Sequence, residues 1–410
     1  MPPMSDAEII KTLIDRSHPA QVQFLAELVR VPSDNPPGDC AAHGQRAAAL
    51  LEDLGFTVER HVVPESEVRA QGMISATNLI VRRRFGPGPT VALNAHGDVV
   101  PPGEGWTADP YGAQIRDGVM YGRGVAVSKS DFATYAFALK ALEDSGVALQ
   151  GSVELHFTYD EEAGGLIGPG WLLERELTRP DFVISAGFAY NVVVAHNGCL
   201  HLEVRLEGRS AHAARPDTGV DALEAATQLL SSLYALRRTY SSIRSNVPGI
   251  EHPTLVVGLI QGGINTNVVP DVVTLRIDRR IIPEEDPQAV ESALRAHIEK
   301  LCRSMPGIHL ALRRILLAQP FRPMPGQERL VAIIQRHAQA IMGEAIPANG
   351  VPIYTDARLY SARGIPTVLY GAGPHSLLEA NGHRADEKLS LEDLRRATQV
   401  VALTVAQLLS

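Results

Sequence analysis

The sequence predicts an α/β fold in which a three-layer α/β/α domain contains an inserted, ferredoxin-like α+β domain. Short apolar strands alternate with amphipathic helices up to about residue 196 and again after residue 317, as in a sheet covered by helices on both faces. In residues 197–317 the order becomes β-α-β-β-α-β, the split ferredoxin-like unit. We therefore expect a main domain formed by residues 1–196 and 318–410, with residues 197–317 as the insertion.

The spacing of apolar residues predicts the elements of the main domain. Its expected helices cover residues 6–32, about 41–54, about 129–145, about 168–176, 326–342 and 391–408. Its expected strands are FTVERHVV, NLIVRRRF, TVALNAHGD, SVELHFTYD, DFVISAG and PTVLYGAG. The segment GPGP at residues 86–89 predicts a hairpin turn that joins NLIVRRRF to TVALNAHGD.

The inserted domain has four predicted strands and two predicted helices. The strands are GCLHLEVRLEG, TLVVGLIQGG, DVVTLRIDRRI and IHLALRRILLA, and the helices are GVDALEAATQLLSSLYALR and PQAVESALRAHIEKLC. The two central strands are joined through INTNVVP, which predicts a short connection between them.

Composition limits the class of partner. The net charge of −8 argues against a nucleic-acid-binding surface, and no apolar run reaches the length of about 18 residues that a membrane span needs. The N-terminal segment has no apolar core of the signal-peptide type. Cys40, Cys199 and Cys302 are too few and too far apart for a disulfide framework. We therefore expect a cytoplasmic protein that acts on a small molecule.

Two predicted strands end in groups suited to metal-assisted hydrolysis. His96 and Asp98 end TVALNAHGD, and residues two apart on a strand share a face. A metal-bound imidazole usually donates its second N–H to a carboxylate, which Asp98 offers. Glu161 and Glu162 follow SVELHFTYD, so one of them can bind a metal while the other takes a proton from water. The alternative for both pairs is a solvated turn.

Further candidates lie outside these strand ends. His383 in NGHRADEKLS is either a metal ligand or a surface histidine, and His212 in GRSAHAARP either polarises a substrate carbonyl or caps a helix. Arg280 and Asn267 are candidates for binding a substrate carboxylate, since a planar guanidinium matches that anion.

Seven segments in order resemble the family that includes aminoacylase, carboxypeptidase G, acetylornithine deacetylase and succinyl-diaminopimelate desuccinylase. They are HGDVVPPGEGW, DGVMYGRG, DEEAGG, GRSAHAARPDTGVDA, NVVPDVVTLRIDRR, YTDAR and GHRADE. The resemblance covers nearly the whole chain. It implies a zinc-exopeptidase-like catalytic domain with an inserted lid or dimerisation domain, a homodimer formed through that insertion, and a dinuclear zinc site that hydrolyses amides of small, carboxylate-bearing substrates.

The resemblance also implies a role for each candidate residue. His96, Glu162 and His383 would be metal ligands, and Asp98 would support His96. Glu161 would be the general base, and His212 would stabilise the oxyanion in the partner's site. The substrate pocket would be lined by Asn267, Arg280, Gly371 and Gly373.

The chain departs from the family pattern at two metal-ligand positions. The carboxylate that bridges the two metals is expected three residues after GRG, where Val127 stands. A second acidic ligand is expected in VISAGF, where the chain has Ala186 or, in the other register, Ser185. Two cations about 3.5–4 Å apart need negative charge between them. We therefore expect one metal per subunit, most simply zinc, with manganese, cobalt or iron as alternatives.

The segment from Ser128 to Asp131 allows three interpretations. S-x-x-D before an apolar run is a capping box, in which Ser128 and Asp131 bond to each other's backbone. The alternatives are a nucleophilic pair of Ser128 and Lys129, or Asp131 as a substitute metal ligand.

These observations favour a mononuclear hydrolase of the amide C–N bond in an N-acyl amino acid or dipeptide. Two other hypotheses stay open. One is a catalytically impaired relative that binds a small molecule, motivated by Val127 and Ala186. The other is hydrolysis of an aromatic or cyclic amine or amide.

Overall fold

The structure is a computed structural model that describes residues 4–410. The helices are α1 (Asp6–Val29), α2 (Ala41–Asp53), α3 (Glu65–Ala70), α4 (Lys129–Asp144), α5 (Pro169–Glu174), α6 (Ala222–Thr239), α7 (Pro287–Cys302), α8 (Gln327–Met342), α9 (Ala357–Ser361) and α10 (Leu391–Leu408). The strands are β1 (Val58–Val62), β2 (Thr77–Arg84), β3 (Thr90–His96), β4 (Gln114–Arg116), β5 (Val119–Tyr121), β6 (Ser152–Thr158), β7 (Phe182–Ser185), β8 (Val192–His196), β9 (Gly198–Glu207), β10 (Thr254–Gly262), β11 (Val272–Ile281), β12 (His309–Ala318), β13 (Ala348–Val351), β14 (Thr367–Leu369) and β15 (Lys388–Ser390).

The chain divides into two compact units. The first comprises residues 4–194, 323–349 and 355–410, and the second comprises residues 195–322 and 350–354. Among the described residues, no helix combines the length and apolar character that crossing a membrane requires.

The first unit is built on a mixed sheet with the strand order β1-β2-β6-β3-β7-β14-β8-β13. β3 runs parallel to both β6 and β7, and β14 runs parallel to β7. The carboxyl ends of these four strands therefore meet at one edge of the sheet, which is where open α/β sheets carry their sites.

Helices cover both faces of this sheet, as predicted. Side chains alternate along β3: Val91 and Leu93 belong to the large core cluster that includes α1, α4 and α10, whereas Ala92 packs with residues of α5 and α9. Because both faces of β3 are covered by apolar groups, the strand is buried on both sides. This explains why its sequence is continuously apolar.

One predicted connection in this sheet is wrong. Residues 86–89 do form a turn, but β2 and β3 are not hydrogen-bonded neighbours, because β6 lies between them and pairs with both. Proline and glycine in GPGP specify where the chain turns. They carry no information about which strand fills the neighbouring position in the sheet.

The second unit has the ferredoxin-like topology that the sequence predicts. Its sheet has the order β10-β11-β9-β12, and all three strand pairs are antiparallel. Helices α6 and α7 contribute apolar side chains to its core, among them Leu229, Leu233, Leu294 and Ile298. β10 forms an edge of this sheet.

Candidate metal centre

The carboxyl end of β3 fixes the position of His96. The His96 imidazole Nδ1 lies 2.9 Å from the carbonyl oxygen of Asp98 and 3.3 Å from its Oδ1. The backbone of His96 is held as well, because the Ser128 hydroxyl donates to its carbonyl oxygen (3.0 Å) and accepts from its N–H (3.3 Å). These contacts direct the other ring nitrogen, Nε2, toward Glu161, whose Oε2 is 3.8 Å away.

Asp98 links His96 to the two glutamates. Its carboxylate is fully buried and accepts backbone N–H groups from Glu161 (3.2 Å) and Glu162 (3.1 Å), as well as the side-chain amide of Asn35 (2.9 Å). The sequence predicts Asp98 as a partner of His96, but it does not predict this second role. Asp98 therefore fixes the turn that carries both glutamates relative to the imidazole.

Glu161 and Glu162 follow β6 on a short 3-10 turn. Gly164 ends this turn with φ at +114°, a left-handed conformation that favours glycine. Arg358 donates a hydrogen bond to the Gly164 carbonyl oxygen and so fixes the turn from α9. As a result, one ligand atom each of His96, Glu161 and Glu162 lies within 4.8 Å of the others.

His383 reaches the same cluster from the loop before α10. Its Nε2 lies 3.5 Å from Oε1 of Glu162, and half of its side chain is exposed (51%). Oε1 of Glu162 is buried and makes no hydrogen bond within residues 4–410. A buried carboxylate oxygen without a donor is unfavourable unless a cation or proton compensates it.

The pKa values of His96 and Glu161 are both raised in this cluster. Burial opposes the charged form of His96, but the carboxylates of Glu161 and Asp98 outweigh it and raise the pKa of His96 well above its usual value. Burial also raises the pKa of Glu161 well above that of an exposed glutamate, and the imidazole of His96 offsets this only in part. A divalent cation would supply the positive charge that the cluster lacks.

The donor set fits a divalent cation, since imidazole nitrogen and carboxylate oxygen are the usual ligands of catalytic zinc. His96, Glu161 and Glu162 offer ligand atoms within 4.8 Å of one another, and Nε2 of His383 lies 3.5 Å from Oε1 of Glu162. Positions 127 and 186 provide no ligand. Val127 follows the GRG turn, and Ala186 follows β7 with its N–H bonded to the Asn94 carbonyl oxygen. Neither side chain can bridge two cations, and the number of cations remains a prediction.

The structure contradicts all three interpretations of the segment from Ser128 to Asp131. The Ser128 hydroxyl makes no helix-cap bond, since it binds the backbone of His96 instead. Lys129 Nζ donates to the carbonyl oxygens of Leu28 (3.3 Å) and Val31 (3.1 Å), so it is not paired with Ser128, and burial lowers its pKa to about 7. The Asp131 carboxylate bonds to backbone amides rather than to the His96 cluster.

A buried ion pair that the sequence analysis missed secures the loops around the centre. Arg123 of GRG and Glu387 of GHRADE are each 1% exposed and lie 2.6 Å apart. Oε1 of Glu387 also accepts the N–H groups of Ala126 (3.0 Å) and Val127 (3.2 Å). Burial raises the pKa of Glu387, although the guanidinium and these amides oppose the shift. Glu387 thereby ties the loop of Val127 to the segment that carries His383.

The predicted oxyanion-stabilising residue His212 and the predicted substrate residues Asn267 and Arg280 lie in the second unit. His212 is exposed, and its Nδ1 accepts from the Ala214 N–H at 3.1 Å. The loop of His212 is bonded to that of Asn267, whose carbonyl oxygen accepts the Ala213 N–H. Arg280 is half-buried and paired with Asp278 at 3.0 Å. The roles of these residues remain predictions.

Gly371 and Gly373 follow β14 at the edge of the first unit's sheet where β3 and β6 also end. The N–H of Gly373 donates to the carbonyl oxygen of Gly187 at 2.9 Å, which joins this loop to the one that follows β7. The predicted role of these glycines in lining the substrate pocket remains a prediction.

Comparison with known sequences identifies the family. The sequence profile of peptidase family M20/M25/M40 matches residues 92–407. The chain belongs to this family. It is 29% identical over 414 residues to a succinyl-diaminopimelate desuccinylase from Gluconacetobacter diazotrophicus, covering 97% of this chain and 99% of that one. It is 28% identical over 364 residues to an acetylornithine deacetylase from Photorhabdus laumondii, covering 87% of each.

Solved structures share the fold of this M20 family member. The dipeptidase Dug1p from Saccharomyces cerevisiae superposes with a TM-score of 0.80 at 15% identity, covering 99% of both chains. Human carnosine dipeptidase 1 gives 0.75 at 18% identity, covering 98% of this chain and 99% of the other. The Bacillus subtilis YXEP protein, described as a dinuclear metal-binding peptidase, gives 0.67 at 17% identity, covering 96% and 99%.

Proposed function

We propose that this M20 family member hydrolyses the amide C–N bond of a small, carboxylate-bearing substrate, such as an N-acyl amino acid or a dipeptide, with one divalent cation per subunit. The observation that carries the proposal is the cluster of His96, Glu161 and Glu162 within 4.8 Å, with Nε2 of His383 3.5 Å from Oε1 of Glu162. Relatives named as deacetylases and desuccinylases support this substrate class.

The chain's residues divide the chemistry between them. His96, Glu162 and His383 would hold the cation, most simply zinc, which supplies Lewis-acid chemistry at the reacting carbonyl when it is bound. Glu161 accepts a proton from the attacking water and returns it to the leaving amine nitrogen. Its Oε2 lies 3.8 Å from Nε2 of His96, so its carboxylate stands beside the proposed cation site, where a general base is needed. Asp98 orients His96, and His212 donates to the oxyanion in the site of the partner subunit.

Chelation tests the proposal. The purified protein is assayed for release of a primary amine from N-acetylornithine, N-succinyl-diaminopimelate and simple dipeptides. Chelation should abolish hydrolysis, and one equivalent of zinc, manganese, cobalt or iron should restore it. Turnover that persists in metal-free protein would contradict the proposal. Tight substrate binding without any turnover, in protein that holds its metal, would favour the alternative of a binding protein, which the absent ligands at Val127 and Ala186 suggest.

We also propose a homodimer formed through β10. Within the described residues this strand pairs with β11 alone, and Val256 (50%) and Ile260 (52%) are exposed on it. An unprotected, apolar edge strand is a template for pairing with another chain, and a second copy offers a matching edge. Light scattering should give twice the mass of one chain for the wild-type protein. The mass should fall to that of a single chain in the variant that combines Val256→Lys with Ile260→Lys. Ile115→Lys, at an exposed position of the first unit (46%), is the matched control. A monomeric wild-type protein would contradict the dimer.

We also propose that the protein is cytoplasmic. Cys40, Cys199 and Cys302 are free and buried, a state that a reducing compartment preserves.

A further inference from the structure

Asp131 carries a buried carboxylate that the proposed chemistry does not use. It lies in the first turn of α4 and is fully buried. Its Oδ1 accepts the N–H of Ala372 at 2.8 Å, and its Oδ2 accepts the N–H of Gly187 at 3.2 Å. Each oxygen therefore binds a different loop: the loop after β14 and the loop after β7.

These two loops are also bonded to each other. Gly373 donates its N–H to the Gly187 carbonyl oxygen at 2.9 Å, and the Ala189 N–H donates to the Gly373 carbonyl oxygen at 2.8 Å. Both loops leave the sheet at the edge that carries His96, and Gly187 directly follows Ala186, where the family pattern has a carboxylate. Asp131, which belongs to α4, thus places a carboxylate at this strand end. There the carboxylate binds backbone N–H groups rather than metal.

The fit between Asp131 and the loop after β14 requires glycine at position 371. A Cβ atom added to Gly371 would lie 2.1 Å from Oδ1 of Asp131 and 2.5 Å from its Cγ, far closer than non-bonded atoms approach. The small residue and the buried acid are therefore matched, and neither can change without affecting the other.

We propose that Asp131 is a positioning residue that holds the loops of Gly187 and Gly371–Gly373 together as one rigid wall of the substrate pocket. The inference rests on the proposed function only for the claim that this wall faces substrate. Burial raises the pKa of Asp131 to about 7, although the N–H groups of Ala372 and Gly187 and the charge of His96 oppose the shift. Burial raises the pKa of Tyr135 and Tyr370, and the negative charge of Asp131 adds to the shift of both.

Hydrogen exchange tests the wall without requiring turnover. Asp131→Ala should raise amide exchange in peptides covering residues 186–190 and 370–374 by about 10- to 100-fold, since hydrogen bonds to a charged group are lost. Peptides covering residues 92–97 and 157–162 should keep their protection. Asp131→Asn, which retains one acceptor, should give an intermediate effect. Unchanged exchange in both loops with Asp131→Ala would overturn the proposal.

A steric double-mutant cycle provides a second measurement, and its Gly371→Ala arm covers the case in which Asp131→Ala folds poorly. Gly371→Ala alone should raise KM about tenfold or more with a smaller effect on kcat, because the glutamate and imidazole groups sit on other strands. Adding Asp131→Ala should relieve the clash, so that the two effects are not additive. Strict additivity, or a silent Gly371→Ala, would overturn the matched fit. If Asp131→Ala raises amide exchange in both loops but the wild-type protein has no hydrolase activity, the wall is supported and the proposed function is contradicted.

Discussion

Replacing Glu161 with glutamine lowers kcat/KM for amide hydrolysis by about 10²- to 10⁴-fold, the contribution expected of a general base. Glutamine keeps the shape of the side chain but cannot take up a proton. The turn should stay intact, because Asp98 binds the backbone N–H of residue 161, which the substitution does not alter. The measurement is steady-state kinetics on the substrate that the wild type hydrolyses fastest.

Two controls separate the base from a structural or metal-binding role. Glu174→Gln changes an exposed glutamate on α5 and should leave kcat/KM unchanged. Metal content should stay at one equivalent in Glu161→Gln, since His96, Glu162 and His383 remain. If the variant loses its metal together with its activity, Glu161 is a ligand and the assignment as base is wrong. Wild-type activity in the variant would also contradict the assignment.

Replacing Glu387 with alanine destabilises the protein by about 3–5 kcal/mol, the cost of leaving a buried charge without its partner. Arg123 is 1% exposed, and its guanidinium would lose the carboxylate 2.6 Å away. The amides of Ala126 and Val127 would lose their acceptor as well. The free energy of unfolding is measured by urea denaturation of the metal-free protein, so that loss of metal binding does not add to the result.

An exposed ion pair is the matched control. Glu65 and Arg69 lie 2.6 Å apart with side chains 71% and 73% exposed, and Glu65→Ala should change the unfolding midpoint far less. Arg123→Met combined with Glu387→Met removes both buried charges and should be more stable than the sum of the single variants predicts. Equal effects of Glu387→Ala and Glu65→Ala would show that the buried pair does not secure the loops.

The sequence predicts that His96, Asp98, Glu161 and Glu162 converge, because all four lie at or just after the ends of predicted strands. His96 and Asp98 end one strand and Glu161 and Glu162 follow another, and the carboxyl ends of parallel strands share an edge. The motif order therefore predicts which groups converge. His383 lies in a loop, so no periodicity indicates its position, and the residues alone leave it either a metal ligand or a surface histidine.

The buried polar contacts could not be predicted, because local sequence does not encode the partner. Ser128 and Asp131 have the spacing of a capping box, yet tertiary partners more than 30 residues away take both side chains. Arg123 and Glu387 are separated by 264 positions. Two features of the sequence could have indicated this ion pair. Arg123 stands within an otherwise apolar segment, and Glu387 belongs to the motif GHRADE.

The number of metal ions tests the central claim most directly. Anomalous X-ray scattering at the zinc, iron and manganese edges, on crystals of metal-supplied protein, should locate one ion per subunit contacting His96, Glu162 and His383. Val127→Asp with Ala186→Asp restores both carboxylates and should admit a second ion, which shows that the crystals can report it. Two fully occupied ions in the wild type, or none, would contradict the account.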